Sequence, residues 1–137
     1  MNEEPDRVYV EKSAIKDFER LREDSPFKGR ENKELFLLAM STGFHEGSLK
    51  KLEKKEGFVR TEYFSPEEKA VIKSIAIRKE GGLNVLLDKK KVYSIAEEYA
   101  AAGIKILSEK VFGGEYGSYI KKLESDLVQI YREKIKK

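Results

Sequence analysis

The sequence predicts a mainly α domain of about five helices with a small two-stranded antiparallel β element. Apolar residues recur every three or four positions through most of the chain, the period of one helix face. Two short segments instead alternate apolar with polar, the period of a strand packed on one side. No internal repeat, low-complexity tract or linker divides the 137 residues. They read as a single helical domain, 1–137, with residues 1–6 as a flexible N-terminus.

In chain order, Arg7 to Glu11 reads as the first strand, with Val8 and Val10 turned inward and Arg7, Tyr9 and Glu11 outward. Ser13 is placed to cap a helix carrying Ile15, Phe18 and Leu21, which should end near Asp24 because Pro26 disfavours helical geometry at Ser25. After a Pro26–Gly29 loop, Asn32 is the expected cap of a second helix. Its Leu35, Phe36, Leu38, Ala39 and Met40 are too apolar for a surface position, and Gly43 is its expected stop. Residues His45 to Gly57 form a charged, glycine-bounded segment, and Phe58 to Phe64 alternates as a second strand.

Ser65-Pro66-Glu67-Glu68 is the clearest local signal: a capping serine, a proline at the first helical position and a glutamate three residues after the cap. The helix it starts turns Val71, Ile72, Ile75 and Ala76 inward and ends before Gly81-Gly82. Another long helix starts near Asp88, with Val92, Ile95, Ala96, Tyr99, Gly103, Ile106 or Leu107, and Val111 as its inward stripe. The small residues Ala100 to Gly103 would let a neighbouring helix pack closely. Gly113-Gly114 end it, and Tyr119, Leu123, Leu127, Ile130 and Tyr131 mark a final helix.

Charged residues make up 39% of the chain, well above the roughly 25% of an average globular protein. The helical periodicity turns that load into a charged surface rather than disorder. Lys and Glu are abundant, Cys and Trp are absent, and Gln129 is the sole glutamine, the bias of a thermophile. The absence of cysteine excludes disulfides, thiol catalysis and Cys-based metal sites. The acidic start from Met1 to Asp6 does not read as a signal peptide, and no apolar run approaches the length of about 20 residues that spans a bilayer. A cytoplasmic location without membrane contact is the expectation.

No recognisable catalytic constellation emerges, and neither a metal nor a cofactor is implied. His45 is the only histidine, which excludes a multi-histidine zinc site, and it reads as a loop residue. The glycine pairs 81–82 and 113–114 lack the spacing and the following Lys-Ser or Lys-Thr of a phosphate loop and read as helix stops. Asp88-Lys89-Lys90, after the apolar run Leu83 to Leu87, resembles the Asp-x-Lys element of metal-dependent nucleases, with Glu62 as the nearest second acid. The plainer reading is a capping aspartate followed by exposed lysines.

Two basic clusters remain as candidate DNA-contacting residues: Lys50, Lys51, Lys54, Lys55 and Arg60, then Lys89, Lys90 and Lys91. Phosphates are attracted to such patches, and Phe58 or Tyr63 could add stacking. Glu53 and Glu56 interrupt the first cluster, and a solvated charged face is the competing reading. The strand-helix-helix order of residues 7 to 43 also matches ribbon-helix-helix DNA binders, in which Arg7, Tyr9 and Glu11 would read the major groove from a dimer ribbon. Pairing of Arg7–Glu11 with Phe58–Phe64 in the same chain is favoured, because a second strand is available and the ribbon fold needs none of the later helices.

Pro26-Phe27, Lys33 to Met40, Gly43-Phe44, Leu83 to Asp88 and Ile95 to Ile104 together carry a family resemblance. From Phe27 onward the chain resembles the small accessory proteins encoded beside Dnd-type DNA phosphorothioation and restriction systems of bacteria and archaea. The matching positions are mainly core and turn residues, and the tyrosine- and lysine-rich C-terminal helix departs from the pattern. The resemblance implies a role in defence against foreign DNA beside larger restriction proteins, and it carries no catalytic residues over. The expected function is therefore a non-enzymatic accessory factor contacting DNA or a DNA-bound partner. A protein-interaction module working through Ala100–Gly103 or the final helix is the alternative, a metal-dependent nuclease is the third reading, and homo-oligomerisation is left open.

Overall fold

A computed structural model describes residues 3–25, 27–113 and 124–132. Among these, strands β1 (Arg7–Glu11) and β2 (Lys55–Arg60) and helices α1 (Ile15–Asp24), α2 (Asn32–Glu46), α3 (Pro66–Glu80) and α4 (Lys89–Phe112) follow in order. Residues 124–132 are helical and are designated α5. Pro26, Gly114, Tyr119 and Leu123, used in the sequence reading, lie outside the described residues.

The two strands pair antiparallel within the chain, from Arg7 opposite Arg60 to Glu11 opposite Lys55, with an irregularity between Val8 and Tyr9. This overturns the dimer-ribbon alternative, since β1 already has its partner. The second strand lies earlier than expected. The ladder stops at Arg60, and Thr61–Tyr63 turns in a 3-10 helix. The turn is held by Thr61, whose N–H donates to the Asp6 carbonyl at 2.9 Å and whose hydroxyl donates to the Pro5 carbonyl at 2.6 Å. Glu4, Pro5 and Asp6, expected to be flexible, therefore carry tertiary hydrogen bonds, including one from Lys69 Nζ to Glu4 at 2.9 Å.

Two helix starts differ from expectation. The chain enters α1 through a 3-10 turn at Lys12–Ala14, and helical Ala14 rather than Ser13 precedes α1 without a side-chain cap. At α2 the extended residue before the helix is Glu31, whose N–H donates to Glu34 Oε1 at 3.0 Å. Asn32 is already helical, and its side-chain oxygen accepts from Arg22, tying the end of α1 to the start of α2. At α3 the Ser65 cap forms as predicted, with Glu68 N–H on Ser65 Oγ at 3.1 Å and Ser65 N–H on Glu68 Oε1 at 2.7 Å. Asp88 caps α4 by accepting from Lys91 N–H at 3.1 Å.

The core forms around the crossing of α2 and α4, where Leu35, Phe36, Ala39 and Met40 are fully buried against Tyr99, Ala100, Ile104 and Leu107. Gly43 does not stop α2. The helix continues to Glu46 and stops at Gly47 in the left-handed conformation (φ 67°), where glycine carries no steric penalty. Gly43 instead lies at the crossing. A Cβ there would stand 2.0 Å from the Tyr99 carbonyl oxygen, and a Cβ on Gly103 would stand 1.8 Å from the Ala39 carbonyl oxygen. Each glycine thus meets the carbonyl one turn before the other, and the helices run antiparallel in near backbone contact. The Ala100–Gly103 stretch is consumed by this contact, which withdraws it as a surface for outside partners.

Candidate nucleic-acid interface

Beside the sheet, β1, the start of β2 and the N-terminal turns of α4 enclose a cleft of about 470 Å³. Three elements remote in sequence converge there. β1 brings Arg7 and Tyr9, β2 brings Lys55, and α4 brings Lys90, Lys91 and Glu97. Arg7 stands opposite Arg60 in the ladder, and its side chain lies over Gly57, where a Cβ would come within 2.6 Å of Arg7 Cδ. Lys91 is held by Glu80 at 2.9 Å, and the hydrogen bond from Lys91 draws the Glu80 carboxyl below its ordinary pKa. Arg7, Lys55 and Lys90 form no ion pair among the described residues, and two carboxylates line the cleft with them: Asp88, engaged as the α4 cap, and Glu97.

Glu97 lies in the cleft wall and is buried. Its Oε2 accepts the Tyr9 N–H at 2.9 Å, so the edge of β1 that another strand would approach is already bonded to α4. Burial lifts its pKa to about 7, against the smaller lowering by that hydrogen bond and by Lys55. Near neutrality this carboxyl exchanges a proton in a cleft otherwise dominated by cations. Beside it, Tyr93 donates to Glu4 Oε2 at 2.9 Å. Burial pushes the Tyr93 phenol up, and the Glu4 carboxylate adds to the shift.

The remaining lysines of the first cluster occupy the stretch before β2. Lys50, Lys51 and Lys54 are exposed. Backbone bonds fix their positions: Lys50 N–H donates to the Glu98 carbonyl at 3.1 Å, and the N–H groups of Glu53 and Lys54 donate to the Glu11 carboxylate at 2.7 and 3.0 Å. Those two donors hold the Glu11 carboxyl below its ordinary pKa. Arg60 sits at the far end of β2, 3.7 Å from Glu62, and half-buried Lys89 does not line the cleft. The structure thus brings Lys55, Lys90 and Lys91 together and leaves the other five candidates around them or at a distance.

The nuclease element takes another form here. Leu83–Leu87 is a 3-10 helix rather than a strand, with Leu83 and Leu87 exposed, and Asp88 is a helix cap. Among the described residues no group of three or more His, Asp or Glu is placed to hold a metal ion. His45 lies on α2, not in a loop, and its Nδ1 contacts the Asp126 carboxylate of α5.

The model of one protein family, described as DNA sulphur modification system-associated protein 4, matches residues 11–136. The chain belongs to this family. The match spans the cleft elements from the end of β1 onward and agrees with the Dnd-system resemblance read from the core and turn residues. Comparison with curated proteins and with solved structures gave no match. No helix among the described residues is long and apolar enough to cross a membrane.

Proposed function

We propose that this member of the sulphur-modification-associated family is a non-enzymatic accessory factor that contacts the DNA backbone through the basic mouth of the β1–β2–α4 cleft. What carries the reading is the convergence of Arg7, Lys55 and Lys90 from three elements without ion-pair partners among the described residues. Cations that converge on a concave site without close ion pairs attract phosphate. Lys50, Lys51 and Lys54 extend the same positive field along the stretch leading into β2.

The test is binding of the purified chain to labelled plain and phosphorothioated duplexes across a salt series. Three phosphate contacts predict a log–log salt slope of about −2.7. Neutralising Arg7, Lys55 and Lys90 to Gln should weaken binding of both duplexes and flatten the slope by about one per residue. Absence of binding at low salt would dismiss direct DNA contact, and an unchanged slope in the triple variant would remove the cleft as its site.

A further inference from the structure

On another face of the molecule, α2, α3 and α5 border a groove of about 640 Å³. Its floor is apolar, made by Leu37 and Leu38 of α2, Val71 of α3, and Leu127 and Val128 of α5. Val128 is 46% exposed. Among the described residues the rim is acidic, with Glu34, Glu67, Glu68 and Glu124 against the single cation Arg30. Two of these carboxylates are occupied: Glu34 pairs with Arg30 at 3.3 Å, and Glu68 takes Lys33 at 3.1 Å and the Ser65 N–H. Glu67 and Glu124 are exposed and have no cation partner among the described residues. In a chain of net charge +3 this is a local reversal of sign.

We propose that this groove docks a basic amphipathic helix of a partner protein. A helix presents apolar side chains at three- and four-residue spacing along one face, and three surrounding helices leave the complementary trough. Lysines or arginines flanking that stripe would meet Glu67 in the first turn of α3 and Glu124 on α5, which fixes register and excludes acidic competitors. A second copy using the same groove is disfavoured by its own charge, since a two-fold contact would set the rim carboxylates of both copies against each other. The proposal stands apart from the DNA reading, because it uses none of the cleft residues.

The probe is a fluorescein-labelled synthetic helix of about 18 residues with a leucine stripe flanked by lysines, compared with twins carrying glutamate for lysine or serine for leucine. The full chain should bind the basic helix and bind either twin roughly tenfold or more weakly. Val128→Arg should reduce binding of the basic helix by a similar factor, and Glu67→Lys with Glu124→Lys should transfer the preference to the acidic twin. All three sites are exposed, so unchanged circular dichroism and melting temperature would separate loss of docking from loss of fold. Duplex DNA should not compete. Equal binding of the two charge twins, no binding of any helix, or indifference to Val128→Arg would overturn the proposal. A dimer dissolved by Val128→Arg would also overturn it and assign the groove to contact between copies.

Discussion

Replacing Gly103 by alanine tests the close crossing of α2 and α4 directly. In an ordinary helix interior the change is favourable by about 1 kcal/mol, since alanine is the better helix former. At this position the new methyl would stand 1.8 Å from the Ala39 carbonyl oxygen and 2.6 Å from the Gly43 nitrogen, where real Cβ atoms are essentially never found within 3.0 Å. Both obstacles are backbone, so no side-chain rotation relieves them. The helices must part by roughly 1 Å, and a gap of about 0.5–1 Å forfeits a quarter to a half of each dispersion contact across it. Those contacts belong to Phe36, Met40, Ile104 and Leu107, all fully buried. Overpacking of this kind costs about 1–3 kcal/mol, and more where backbone must move. With backbone on both sides the cost lies at the top of that range, so net of the propensity gain Gly103→Ala should destabilise by about 2 kcal/mol and lower Tm by roughly 8 °C. Urea unfolding followed by circular dichroism reads the loss, with Gly82→Ala as a control because its methyl meets nothing within 4 Å. Gly43→Ala should cost a similar amount. The double variant should cost less than the two losses added, because one separation of the helices relieves both clashes. A Gly103→Ala protein as stable as the parent would refute the crossing geometry.

Two further outcomes follow from local features. The Glu97 carboxyl is lifted by burial from an ordinary value near 4.5 to about 7, so the folded chain retains a proton that the unfolded chain has lost across that window. Its contribution is fully present below about 4.5 and disappears as pH rises through about 7, so stability should fall over that range. Glu97→Gln should flatten that part of the pH–stability curve, and an unaltered slope would show that Glu97 is not its source. Removing the cap with Ser65→Ala should cost about 1 kcal/mol by freeing the Glu68 N–H, measurable as a lower urea midpoint at constant m-value.

The helices were most legible where the signal is local. Ser65-Pro66 and Asp88 fix the starts of α3 and α4 through bonds within one turn, so short spacing was sufficient. Gly43 shows the opposite case. A glycine after an apolar helical run reads as a stop, and only the Tyr99 carbonyl from a helix distant in sequence makes it an interior contact. The shift of β2 has a similar origin, since alternation continues to Phe64 while the carbonyls of Pro5 and Asp6 turn the chain at Thr61. Lysine-rich segments were visible as clusters, but nothing local says that Lys55 and Lys90 share a cleft. From sequence Arg7 reads as a groove reader in a dimer ribbon, and only the packing of β1 beside β2 and α4 places it in that cleft. Glu97 was missed, although it stands one turn from Tyr93 and one from Ala101, both buried, so the inward stripe of α4 passes through it. Its burial depends on the Tyr9 N–H at the edge of a strand that the helical period cannot register.

The paired glycines also constrain how the chain reaches its fold. Gly43 and Gly103 are separated by β2, α3 and the 3-10 segment at Leu83–Leu87, so their contact closes a long loop before most of its benefit is felt. Carbonyl-to-Cα seating has no half-formed version: with the helices slightly apart, the flanking phenylalanine, methionine and leucine side chains lose their fit together. Assembly should therefore be limited by a late docking event between preformed helices. Residues 44–102 between them form the loop that this docking closes.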